Sequence, residues 1–317
     1  MSDSANETES SPMPRVCIEK LSFRYRAIDE EPEAIKGNEQ RATELPYTIQ
    51  DISFSLQAGE LLLIAGPSGC GKSTLLKCLN GLIPHHYAGT LEGNIQLDGH
   101  NVRALSTSEL AHYVGTMLQD PDKQIIGSTV EQEVAFGMEN RATPRSEMQQ
   151  RIHAVLQRLH LEDYQPRAIA TLSGGQRQQV AAAGILVMQP GVFLFDEPFA
   201  NLDARAVDQL ETLIDDLRRE GRTVIIVEHR VEEALKLNPD KVLLMGDGRQ
   251  IFFGPTGEFL KIADPTQVKL PITERITNDP AQVRALIHPI VTAAKSVDGV
   301  GEPILTFENL RYRYSGT

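Results

Sequence analysis

The spacing of apolar positions changes several times along the chain, and each change marks an element. In RVCIEKLSFRY (15–25), Val16 and Ile18, then Leu21, Phe23 and Tyr25, alternate with polar residues. A period of two predicts one or two half-buried strands, with room for a bulge between them. Residues 26–46 are polar, with two prolines and a glycine, and read as an extended surface loop. ISFSL (52–56) resumes the alternation, and Ala58-Gly59 turns the chain into ELLLIAG (60–66). That continuous apolar run suits a strand buried on both faces. A glycine-rich stretch and a helical pattern, KSTLLKCLNGL (72–82), follow. Strand, glycine loop and helix in that order open an α/β domain.

Further on, NIQLDG (94–99) predicts a strand and turn, and 105–118 is mixed. Residues 128–162 are helical, with Pro144 in a first turn. A helix of small residues covers 176–189, VFLF (192–195) and TVIIV (223–227) are buried-type strands, and the amphipathic 204–220 is their crossover helix. VLLM (242–245) and QIFFG (250–254) form a hairpin around Gly246-Asp247-Gly248. Residues 263–302 hold four prolines and weak periodicity, a helical tail or linker. IEKLSFRYR (18–26) matches FENLRYRYS (307–315) at four of nine positions. Either two unrelated strands share an alternation, or a second copy of the domain begins there and is truncated at 303–317.

Composition narrows the function. At about 150 residues per domain, 317 residues allow about two domains. The net charge of −12 disfavours bulk nucleic-acid binding. Apolar runs such as LLLIA (61–65) and GILVM (184–188) fall far short of the roughly 20 residues of a spanning helix. The start, MSDSANETESSPMP, is acidic and polar; it reads as a disordered tail over 1–14, not as a signal peptide. Cys17, Cys70 and Cys78 make no disulfide framework, which fits a reducing cytoplasm.

Three strings carry chemistry. Gly66-Pro67-Ser68-Gly69-Cys70-Gly71-Lys72-Ser73-Thr74 satisfies G-x-x-x-x-G-K-[ST] between a predicted strand and helix. Glycines let backbone N–H groups curl around phosphate oxygens, and Lys72 adds an ammonium at the β- and γ-phosphates. Ser73 offers Mg²⁺ a hard oxygen. Cys70 reads as a small filler. In VFLFDEP (192–198) two carboxylates leave the C-terminal end of a buried strand, where open parallel sheets bind ligands. Asp196 suits Mg²⁺ through its water shell, and Glu197 suits a base that takes a proton from attacking water. Leu172-Ser173-Gly174-Gly175-Gln176 reads as a helix start, with Ser173 as cap and bare N–H groups behind it.

LSGGQ in that company resembles the signature of ATP-binding cassette (ABC) ATPases. The order of phosphate loop, Gln119, LSGGQ, carboxylate strand, Asn201-Leu202-Asp203 and Glu228-His229-Arg230 is the family's own, over about residues 15–262. The resemblance implies an α/β P-loop NTPase fold: a RecA-like parallel-sheet core, an antiparallel β subdomain, and an α-helical subdomain at about 120–190 carrying the signature. It implies ATP and Mg²⁺ as ligands, with Gln119 touching the metal and the attacking water and His229 at the γ-phosphate. Ser173, Gly174, Gly175, Gln176 and Asp203 serve the nucleotide of a facing cassette. Tyr25 resembles the aromatic that stacks on adenine, with Tyr47 a weaker candidate.

The stretch 117–140 resembles energy-coupling factor (ECF) transporter ATPases, as does TPRSEM (143–148). That implies an ATP-hydrolysing subunit at the cytoplasmic face of the membrane, energising import of a vitamin or transition-metal ion. Its partners would be a second cassette (homodimer, paralogue or tandem half), a transmembrane coupling protein and a substrate-binding membrane protein. Ile125, Ile126, Val130, Val134, Ala135 and Phe136 either line a groove for coupling helices or pack only within their own subdomain. The competing class is a soluble ABC ATPase acting on ribosomes or DNA. Against it stand the acidity and the absence of sustained heptads between Lys72 and Ser173.

Overall fold

A computed structural model describes residues 13–26, 45–200, 202–229 and 231–262. The expectations for 1–12, the bulk of the 26–46 loop, Asn201, Arg230, the 263–302 tail and the 303–317 repeat lie outside the described residues.

The first half runs β1 (Val16–Tyr25), β2 (Ile49–Leu56), β3 (Leu61–Ala65), α1 (Lys72–Leu79), α2 (Leu82–His85), β4 (Gly89–Leu97), β5 (His100–Asn101), α3 (Thr107–Leu110) and β6 (Val114–Met117). The second half runs α4 (Val130–Asn140), α5 (Arg145–Arg158), α6 (Gly174–Leu186), β7 (Val192–Asp196), α7 (Ala204–Arg219), β8 (Thr223–Val227), α8 (Val231–Lys236), β9 (Lys241–Gly246), β10 (Arg249–Pro255) and α9 (Thr256–Ile262).

Ten strands pair in the order β5-β4-β1-β2-β10-β9-β3-β8-β7-β6. From β9 to β6 every pairing is parallel, while β1, β2, β4 and β5 form an antiparallel layer. The shifts of register at Leu21 make β1 one bulged strand rather than two. In the parallel core, side chains alternate between two apolar clusters. Leu61, Leu63 and Ala65 face the helical side with Phe193, Phe195, Val224 and Ile226. Leu62 and Ile64 face α1 with Val192, Leu194, Ile225 and Val227. Burial on both faces is why these strands read as unbroken apolar runs.

Helices α4, α5 and α6 form the helical subdomain, and their contact faces carry Val130, Val134, Met138, Ile152, Leu156 and Val180. β6 falls in the stretch whose pattern is mixed, because Gly115 and Thr116 are only half-buried at the sheet's edge.

Candidate active site

Residues 66–71 join β3 to α1. Gly71 caps that helix with φ 100° and no side-chain hydrogen bond. A Cβ there would lie 2.6 Å from Ile49 Cγ2 and 2.8 Å from Thr48 O, so the turn requires glycine. Without a cap, the first-turn amides of α1 face the loop, and the helix adds about half a positive charge. Lys72 is buried, and its Nζ donates to Gly66 O at 2.8 Å and Pro67 O at 2.9 Å. Ser68, Gly69 and Ser73 are exposed on this loop and the first turn of α1. Cys70 is buried and burial pushes its thiol pKa up, so it is a filler and not a nucleophile.

Sheet register brings the distant motifs to one edge. Ile64 pairs with Val227, and Val227 pairs with Asp196. The phosphate loop, Glu228-His229 and Asp196-Glu197 therefore leave neighbouring strand ends together. Asp196 Oδ1 is buried with no hydrogen-bond partner. Burial raises its pKa, Glu197 adds to the rise, and Lys72 opposes it. An orphaned buried carboxylate oxygen within the field of Lys72, whose chain neighbour Ser73 is exposed, fits a hard divalent cation such as Mg²⁺.

Glu197 sits at φ +50°, a left-handed conformation rare for non-glycine residues, and its N–H donates to Val227 O at 2.9 Å. The turn aims its carboxylate out of the strand, where two side chains meet it. Gln119 Nε2 donates to Oε2 at 2.9 Å, and His229 Nε2 lies 2.9 Å from Oε1. The backbone N–H of His229 donates to Oε1 of the buried Glu228 at 2.8 Å. Residues 119, 197 and 229, far apart in sequence, form one constellation.

Tyr25 is half-buried beside α1, its hydroxyl 3.3 Å from Thr74 Oγ1 and its ring edge-on to Phe23 and Tyr87. The Tyr47 hydroxyl instead donates to Glu92 at 2.6 Å. The signature residues occupy a different surface. Ser173 caps α6 in a reciprocal box with Gln176, and Ser173 and Gly174 are exposed. Asp203 caps α7 by accepting from Ala206 N at 2.8 Å. Among the described residues, no hydrogen bond or ion pair joins Ser173, Gly174, Gly175, Gln176 or Asp203 to 66–74.

Of the two readings of the 125–136 apolar residues, packing holds for four: Val130, Val134 and Ala135 are buried in the helical subdomain, and Ile125 packs partly against it. Only Ile126 and Phe136 of the six are exposed, joined by Leu118. Glu133, which sequence reasoning passed over, is the buried residue that shapes this surface. Its Oε2 accepts from both Ile126 N and Gly127 N at 2.7 Å. No sequence signal distinguishes it from the exposed glutamates of α4.

Residues 49–200 match the profile of the ABC transporter family. A provisionally named ABC transporter ATP-binding protein of Streptococcus mutans is 42% identical over 215 residues, 68% of this chain and 38% of that protein. One of Enterococcus faecalis is 41% identical over 255 residues, 80% of this chain and 42% of that protein. The chain thus spans about two fifths of the length of these relatives. Among solved structures, cbiO1 of Clostridium perfringens, described as part of the ABC transporter complex cbiONQ, superposes with a TM-score of 0.67 at 27% identity. That match covers 89% of this chain and 99% of cbiO1.

Proposed function

We propose that this chain, an ATP-binding protein of the ABC transporter family, hydrolyses ATP to drive an ECF-type importer. The observation that carries this is the clasp on Glu197. A carboxylate held through one oxygen by Gln119 and through the other by His229, beside a lysine-lined phosphate loop, is set to take a proton from water. Bound Mg²⁺ would screen the β- and γ-phosphate charge, held by Ser73, Asp196 and Gln119. Lys72 and the amides of 66–74 hold the phosphates, Tyr25 stacks on the base, and His229 reaches the γ-phosphate.

One cassette supplies half of each site. Two copies, or this cassette and a paralogue or tandem half, close head to tail, and Ser173 with its helix end meets the γ-phosphate held by the other. Phosphoryl transfer then rests on positioning and electrostatics. Closing and opening is the mechanical output, received at the cytoplasmic face by a transmembrane coupling protein. The exposed Ile126 and Phe136, with Leu118 adjoining Gln119 in the chain, suit that docking. No helix among the described residues is long and apolar enough to cross a membrane. A vitamin or transition-metal ion would be chosen by a separate membrane partner.

Glu197→Gln tests the base. We expect turnover to fall by about 10²–10⁴ while ATP binding persists and an ATP-bound dimer accumulates. Native turnover in that variant would refute the assignment.

A further inference from the structure

We infer that Arg177, just past the signature string, is a positioning residue that ties the start of α6 to the segment carrying Gln119, with Asp122 as its counterpart. The inference rests on the two-cassette reading above. Residues 118–127 form an internally bonded turn. Leu118 N donates to Gln124 Oε1 at 3.0 Å, and Ile125 N to Pro121 O at 3.0 Å. The far end is pinned by Glu133. Gln119 at the near end touches Glu197. The segment therefore moves as a unit.

Arg177 joins that unit to the signature. Its Nε lies 2.7 Å from Asp122 Oδ1, and its Nη1 donates to Leu172 O at 2.7 Å. The Nε–H does not aim along the first contact, which is a charge contact; the directional bond is the one to Leu172. Leu172 immediately precedes the cap, Ser173. A cation in a helix's first turn opposes the helix dipole, so Arg177 is poorly placed unless its charge is turned aside. Asp122 turns it aside. The side chains of Arg177 and Asp122 are 28% and 59% exposed, so the pair adds little to stability. Its effect is geometric: displacement of the 118–127 turn displaces both the residue on the nucleotide held in this cassette and the donor offered to the facing one.

A double-mutant cycle with Asp122→Asn and Arg177→Gln tests this. Each single variant should lower kcat about two- to fivefold, with the calorimetric affinity of the chain for Mg·ATP unchanged. The double variant should be no worse than either single, and Asp122→Glu should return kcat to within about twofold of native. Native turnover in both singles, or independent multiplicative losses, would overturn the inference. If Arg177→Gln fails to fold, Asp122→Asn against Asp122→Glu decides it: equal kcat in those two overturns it. The cycle is repeated in a Glu197→Gln background with ATP-driven dimer mass as readout. A Glu197→Gln chain that stays monomeric in ATP brings down the two-cassette reading and this inference with it. One that dimerises equally with and without the pair brings down the inference alone.

Discussion

Two helices of this cassette begin with glycine and serine, and their first turns are finished differently. α1 starts after Gly71 with no side-chain cap, and the next residue is a buried lysine hydrogen-bonded to the loop's own carbonyls. α6 starts after Ser173 with a closed capping box, and its first turn is open to solvent. Both present the positive end of a helix. Only the first adds a full charge and gathers Asp196, Glu197, Gln119 and His229 at neighbouring strand ends. The box of the second ties up Ser173 N and Gln176 N. On the two-cassette reading proposed above, such a helix start completes the site of the facing chain and not its own.

The strongest way to break that contrast is to remove the charge from the first helix. Lys72→Ala leaves α1 as bare as before but without the ammonium, and turnover should fall by about 10²–10³. Because a ligand stabilises the fold in proportion to its binding, ATP should no longer raise Tm in this variant. Unchanged calorimetric affinity for ATP would mean that the amides alone hold the phosphates and that Lys72 serves the loop, not the ligand.

A smaller effect is expected at the second helix. Ser173→Ala removes the cap, costing about 1 kcal/mol of stability, and on the two-cassette reading proposed above removes a donor to the facing nucleotide. Binding of ATP to the single chain should be untouched, while ATP-driven dimerisation in a Glu197→Gln background weakens about tenfold, as loss of one hydrogen bond to a charged group would give. Weakened binding in the monomer would place Ser173 in its own cassette's site, and the division between the two helix starts would fail.

These sites are unequally legible in the sequence. The phosphate loop is local: its glycines, lysine and serine sit on consecutive residues, and the runs of β3 and β8 announce strands covered on both faces. The clasp on Glu197 is not local. Gln119, Glu197 and His229 converge because β6, β7 and β8, whose ends they follow, are neighbours in the sheet, in the order β8-β7-β6. Only family resemblance nominates Gln119 and His229; each alone is an ordinary loop residue. β6 is hidden for a packing reason. A Cβ on Gly115 would lie 2.3 Å from Ile185 Cγ2, so the close approach of α6 demands a glycine that interrupts the apolar pattern. Of the two readings of the 125–136 apolar residues, helical spacing already favours packing for Val130 and Val134: four apart, they mark one face of α4, and that face turns inward.

The finest test of the comparison lies at Gln176. Its Oε1 accepts from Ser173 N at 2.9 Å, and its own N–H donates to Ser173 Oγ at 3.3 Å. α1 has no counterpart to this side chain. If Gln176 serves only the cap, Gln176→Ala removes half of a capping box and leaves Ser173 Oγ free to keep accepting from residue 176. The expected cost is then about 0.5 kcal/mol, seen as a fall in Tm of about 1–2 °C for a domain of this size. On that reading turnover should stay within about twofold of native, the facing nucleotide meeting Ser173 and not its neighbour; the alternative, that Gln176 serves the facing nucleotide as well, predicts a larger loss. A tenfold loss of turnover with Tm unchanged would reverse that assignment: Gln176 would then be a ligand of the facing nucleotide that uses the cap only as a resting position, and both helix starts would be dedicated to phosphate alike.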